Sequence, residues 1–320
     1  MFDLVHPVHP VHIALAKSAH IRLRSGDLIP ILYEDRAVLA IDKPAGWLLA
    51  PAYWRQTGRN LQAALEAGIA ARDFWAASRN LSYLRFIHRL DAETSGVLLL
   101  AKSRGALRVY GRLFQSREME KVYLAVARGR PADAQWTCRL KLAPDPQAAR
   151  RMRVAARTGK TAETHFRLLS VREDSQCGPV ALLAARPLTG RTHQIRVHLA
   201  AGGHPVVGDR LYGLEARGGD SLSGYQVITL SGCQVVKLSS SQVAGLPSAP
   251  VGRRRAGKRQ RMQRTQDVPD RASDAAFPLA LRAIRLRYAD PFEHRPVCIQ
   301  APVAAWLEAW GWPPEAATAT

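Results

Sequence analysis

His88, Arg89 and Asp91 fall within four consecutive residues, and the apolar run 96–101 follows at once. Two more polar groups interrupt the apolar stretches around them: Lys121 with Tyr123, and Arg191 with His193, Arg196 and His198. An aspartate just before a buried strand is either part of a surface turn or a site built on a rigid element. With so many arginines and histidines in need of counter-charge, the pattern reads as a carboxylate ion-paired at a cleft. A cation beside it would keep such a carboxylate ionised, lowering its pKa by about 1 to 3 units.

Other chemistries fit poorly. The chain has no GxxxxGK[ST] loop, no GxGxxG after a strand, no HExxH and no GxSxG. His193 and His198, five apart on a predicted helix, point in roughly opposite directions and would not share a metal. Glu93 is too close in sequence to Asp91 to flank a glycosidic bond from the opposite side.

The elements that must position these residues follow from periodicity. Residues 29–51 alternate apolar positions around turn signals at Glu34-Asp35 and at 43–46, giving two strands and a loop. Residues 59–72 predict a helix with Leu61, Leu65 and Ile69 on one face. The strand 96–101 leads into a helix over 103–117, with Ser103 as its cap and Leu107, Tyr110 and Phe114 on one stripe. Strands are expected over 121–127, 164–169 and 180–186. A helix over 192–201 has Thr192 as its expected cap and Gly202-Gly203 as its stop. Two last strands flank the Asp290-Pro291 turn.

The 320 residues carry 46 Lys and Arg against 26 Asp and Glu, a net charge of +20. A low-complexity stretch over 215–275 holds ten basic and five acidic residues, and its part 237–264 has eight basic and no acidic ones. The remainder still carries +15, so the globular part itself faces a polyanion, with nucleic acid as the expected partner. No apolar run has the roughly 18 to 20 residues of a membrane helix. The first twelve residues do not read as a secretory signal. Four cysteines without CxxC spacing suit a reducing, cytoplasmic setting.

The segments "HRLDAETSG", "EKVYLAV" and "LTGRTHQIRVHLAAGGHPVVGDRLYG" resemble the three motifs of the RluA-type pseudouridine synthases. "LYEDRAVLAIDKPAG" resembles that family's opening strands and "GKTAETHF" a further shared segment. The resemblance covers about residues 28–214 and resumes near 277–302. It implies an α+β fold, a large mixed and mostly antiparallel sheet flanked by helices with a central active-site cleft. Together with composition it divides the chain into a poorly ordered N-terminal arm over 1–27, a catalytic domain over 28–214, a basic low-complexity insertion over 215–275, the closing strands and helix over 276–312, and a tail over 313–320. It also implies a cofactor-free isomerisation of uridine in ribosomal or transfer RNA by a monomer.

In that reaction the N1–C1′ bond breaks, the uracil turns, and C5 bonds to C1′. The resemblance makes Asp91 the nucleophile, Arg196 its charge partner, and Tyr123 the ring on which uracil stacks. Arg89 would fill the gap left by the extruded base, with His88, Lys121, Arg191 and His193 as further RNA contacts. Departures from the family include the length and basicity of the insertion, and Arg282 where the closing segment usually carries a histidine. Alternatives are a non-catalytic RNA-binding protein on the same fold, or a hydrolase of a nucleoside N-glycosidic bond.

Overall fold

The structure, a computed structural model, describes residues 17–49, 59–175, 177–213 and 278–317. The insertion expected over 215–275 lies outside these residues. Thirteen strands follow in chain order: β1 (His20–Arg22), β2 (Leu28–Glu34), β3 (Val38–Lys43), β4 (Arg85–Phe86), β5 (Ser95–Ala101), β6 (Glu120–Arg128), β7 (Gln135–Cys138), β8 (Leu142–Pro144), β9 (Met152–Val154), β10 (Thr164–Asp174), β11 (Gly178–Pro187), β12 (Leu281–Ala289) and β13 (Pro296–Gln300). The helices are α1 (Leu61–Ala70), α2 (Phe74–Ala77), α3 (Arg104–Gln115), α4 (Gln194–Ala201) and α5 (Ala304–Ala309).

Eleven strands form one sheet whose main path runs β1-β2-β3-β5-β12-β6-β11-β10-β7, with β13 on β12 and β4 on β5. Every pairing in it is antiparallel except β5 with β12. At that parallel junction Arg282 lies opposite Ser95 and Ala283 opposite Gly96. Gly96 has φ +111°, and a Cβ there would come within 2.0 Å of the Ala283 carbonyl oxygen. Only glycine lets the two strands approach so closely, which is the physical content of the "TSG" stretch.

Helices cover the sheet where the apolar periodicity demands it. Asn60 caps α1 by accepting the Ala63 N–H, and Ser103 caps α3 by accepting that of Ala106. Tyr110 and Ala106 of α3 pack with Val97, Leu99 and Leu286. A second cluster sets α1 and Trp75 against β1, β3 and β5, and a third joins β6, β11 and β12 to α4 and α5.

Two expectations at the ends need correction. Part of the expected arm, His20–Arg22, is an edge strand, because Ile21 buries completely against the cluster that holds Ile29, Trp75 and Leu84. Part of the expected tail, Pro314–Ala317, is a 3-10 turn whose Ala317 joins the core with Leu307 and Trp312.

Candidate active site

The turn before β5 carries Asp91, and the fold holds it from behind. Thr94 N–H donates to the Asp91 carbonyl, and Gly46 N–H donates to that of Ala92. Lys43, at the end of β3 and completely buried, donates from Nζ to the carbonyls of Pro44, Ala92 and Thr94 at 2.8 to 3.0 Å. Burial pushes its pKa down to about 8, while the charges of Glu93 and Asp91 pull it upward. Lys43 therefore fixes the backbone on which Asp91 stands. It went unnoticed in the sequence because its partners are carbonyls about fifty residues away.

Arg196 lies in the first turn of α4, as its third residue, and its fork does not close on Asp91. Nε and Nη2 donate to Asp209 Oδ2 and Oδ1 at 2.7 and 2.8 Å, and only Nη1 reaches Asp91 Oδ2, at 3.5 Å. The Asp209 side chain has no exposed surface, and its Oδ1 also accepts the N–H groups of Leu211 and Tyr212. Burial works against the Arg196 charge, yet the hydrogen bonds and charge of Asp209 outweigh it and raise the pKa. The physical reason for the correction is geometric. Asp209 occupies the Nε–Nη2 edge of the guanidinium in bidentate fashion, leaving Nη1 alone within reach of Asp91. Glu93, more than half exposed, lies 3.8 Å from the same Nη1.

His193 departs from expectation too. It precedes α4 in the left-handed region at φ 53° and occupies the cap position without a side-chain cap bond, so Thr192 does not cap the helix. Gln194 organises the loop instead. Its Oε1 accepts from Thr189 Oγ1 and from Arg191 N–H, and its Nε2 donates to Glu163 O and Thr164 Oγ1. The twist at His193 sets its Nδ1 2.8 Å from Tyr212 Oη and its Nε2 3.9 Å from Asp91 Oδ1. Tyr212 already accepts the Met152 N–H, so its hydroxyl proton is free to donate to Nδ1. Burial pushes the His193 pKa down against the pull of Asp91. A neutral ring receiving at Nδ1 keeps its own proton on Nε2, facing Asp91.

An open cleft of about 610 Å³ brings together Asp91, Tyr123, Arg196, His193, Arg191, Lys121 and Arg89. Tyr123 enters from β6, where Ala185 and Ala283 flank it and leave room for its ring. Burial and then the Asp91 charge raise its pKa, so the hydroxyl keeps its proton at neutral pH. Lys121 lies 4.7 Å from the centre of the Phe114 ring, and burial pushes its pKa down to about 8. Arg89 is exposed at the rim. Arg191 donates from Nε to Thr161 O, at the edge of the cleft.

His88 is not among the lining residues. It is buried, accepts the Leu99 N–H at Nε2, stacks on Phe114, and has a pKa pushed down to about 3 by burial. A neutral ring inside the core supports the turn and offers RNA nothing. His198 likewise turns inward, between Thr164 Oγ1 and Leu140 O. Arg282, the residue that replaces a histidine, donates to Asp42 Oδ2 at 2.6 Å, to Ser95 Oγ and to Pro302 O. It therefore ties β12 to β3 and β5 behind the cleft. Among the described residues no three His, Cys, Asp or Glu side chains gather as metal ligands. No described helix is long and apolar enough to cross a membrane.

Comparison with solved structures defines the class. The fold superposes on human RNA pseudouridylate synthase domain containing 1 with a TM-score of 0.56 at 24% identity, covering 88% of this chain and 86% of that one. The corresponding domain-containing protein 4 gives 0.52 at 21% identity, over 85% and 87%. This is the pseudouridine synthase fold.

The family model described as RNA pseudouridylate synthase matches residues 37–201. The dual-specificity RNA pseudouridine synthase RluA of Escherichia coli strain K12 is 34% identical over 182 residues, 57% of this chain and 76% of the relative. Ribosomal large subunit pseudouridine synthase C of Salmonella typhi is 34% identical over 204 residues, 62% of this chain and 57% of the relative. The chain belongs to the RNA pseudouridylate synthase family, and its activity is the isomerisation of uridine in RNA.

Proposed function

We propose that Asp91 is the nucleophile of that isomerisation and that the target uridine lies in ribosomal or transfer RNA. One observation carries the first part. Asp91 stands on a turn braced by Lys43, with Arg196 Nη1 at 3.5 Å on one oxygen and His193 Nε2 at 3.9 Å from the other. Both cleft groups face the carboxylate, and Asp209 keeps the arginine from swinging away. With the uridine extruded, the carboxylate faces the sugar–base junction. The N1–C1′ bond breaks, the uracil turns on the Tyr123 ring, C5 bonds to C1′, and the C5 proton leaves to solvent while N1 gains one.

The RNA class rests on the relatives, since of the two bacterial synthases one is named for the ribosomal large subunit and the other for dual specificity. Mapping pseudouridines in ribosomal and transfer RNA with and without the gene tests it. A uridine that stays unmodified without the gene identifies the substrate, and identical maps for both RNA classes contradict the proposal. The protein acts as a monomer in the cytoplasm.

Two predictions follow for the cleft. Tyr123→Phe keeps the ring, so it should retain affinity for substrate RNA and lose mainly rate. Tyr123→Leu should lose rate and about tenfold in affinity, the scale of base stacking on an aromatic side chain. Filter binding of substrate RNA checks this, and equal affinity of the Leu variant and wild type would count against stacking.

The second concerns pH. Lys121 carries its proton below about pH 8 and loses it above. Its phosphate attraction is thus present at pH 7 and fades toward pH 9. Affinity for RNA should fall over that window in wild type and hold in Lys121→Arg, whose guanidinium stays charged. An undiminished fall in the arginine variant would assign the titration to another group.

A further inference from the structure

Away from the cleft, an open groove of about 1490 Å³ runs between α3 and the turns 35–37 and 290–293. Arg36, Arg108 and Arg112 line it, and Arg104 extends the same helix stripe at the preceding fourth position. All four are exposed, and among the described residues none has a hydrogen-bonded or ion-paired partner. The acidic groups of the groove are already engaged. Asp35 accepts from Tyr33 Oη and from the Ala37 and Val38 N–H groups, Asp290 from Tyr110 Oη and from the Phe292 and Glu293 N–H groups, and Glu293 pairs with Arg295. Beside the arginines stands Phe292, 57% exposed. It is held outward by a turn that Asp290 fastens, and its ring leans on Tyr110 at 6.1 Å.

The charge pattern costs the helix stability. Like charges four residues apart repel, and α3 has two such pairs with no acidic residue in its first turn. Arg104 in that turn also opposes the helix dipole. A solvated face needs none of this, whereas a phosphate-binding face needs unpaired cations.

We propose that the α3 groove is a second RNA-contact surface, taking the phosphates of a single-stranded segment on Arg36, Arg108 and Arg112 and stacking one base on Phe292. This rests on the proposed RNA isomerase reading and adds where the flank of the substrate lies. The same helix carries Phe114 into the catalytic cleft. At 1.5 Å and 100° per residue, Phe114 lies about 9 Å along the axis and about 120° around the helix from Arg108, so a strand leaving the groove bends around α3 to reach the target uridine.

The test is binding of a fluorescent 20-nucleotide oligouridylate from 50 to 200 mM salt, with wild type, Arg36→Gln/Arg108→Gln/Arg112→Gln, Phe292→Ala and Asp91→Asn. Each phosphate contact contributes about 0.7 to the salt slope on single strands. The triple variant should lose about 2 from the slope, so the wild-type advantage shrinks about 20-fold across that range. Its melting temperature should not drop, since repulsion is removed. Phe292→Ala should bind about tenfold more weakly with the slope unchanged. Asp91→Asn should match wild type in both, so this result stays readable even if Asp91 is not the nucleophile. A wild-type slope in the triple variant, or wild-type affinity in Phe292→Ala, overturns the proposal.

Discussion

Replacing Asp91 with asparagine should abolish isomerisation while leaving the fold and RNA affinity in place. The substitution keeps the shape of the side chain and removes its charge. Removing a covalent nucleophile elsewhere costs about 10⁴-fold or more, so turnover should fall to the limit of detection. Structure should survive for a specific reason. Arg196 loses only a single long contact, at 3.5 Å, and keeps its bidentate grip on Asp209. Circular dichroism, thermal melting and oligouridylate affinity should therefore match wild type. Turnover within tenfold of wild type would remove Asp91 from the role.

The largest stability effect should come from Asp209, a residue that takes no part in the chemistry. Asp209→Ala strands a guanidinium that is itself only 3% exposed, and breaking one side of a buried pair typically costs about 3 to 5 kcal/mol. For a domain of this size that lowers the melting temperature by about 10 °C. Adding Arg196→Met should recover much of the loss, because the unpaired charge is gone. A double-mutant cycle should thus give a coupling of about 2 kcal/mol or more for Arg196 with Asp209, and under about 1 kcal/mol for Arg196 with Asp91. The reverse order would mean that the arginine is primarily the partner of Asp91.

That order is also where the sequence fell short. "HRLDAETSG" and "HQIRVHL" identify Asp91 and Arg196 by type and setting, and strand and helix periodicity places them at the ends of rigid elements. The cap of α3 at Ser103 and the close strand approach at Gly96 are local effects, so they are legible from a few residues. Asp209 is not legible in that way. It lies thirteen residues past Arg196, beyond a glycine pair and a proline, and nothing in "VVGDRLYG" says which way its carboxylate turns. Lys43 and Tyr212 are hidden for the same reason. Each acts on a partner far along the chain, through carbonyls or a ring that carry no sequence signature. His88 shows the opposite error: a histidine beside a functional arginine reads as a contact, but the bend after β4 turns it into the core, where Nε2 accepts the Leu99 N–H.

The most direct test uses RNA transcripts carrying tritium at C5 of uridine. Forming the C5–C1′ bond must expel that hydrogen, whereas hydrolysis of the N-glycosidic bond keeps it on released uracil. On a transcript containing the target uridine, wild type should release one tritium to water for each pseudouridine formed, with RNA length unchanged and no free uracil. Asp91→Asn should release none. Labelled uracil in solution, or tritium release by Asp91→Asn at a rate near wild type, would contradict the account.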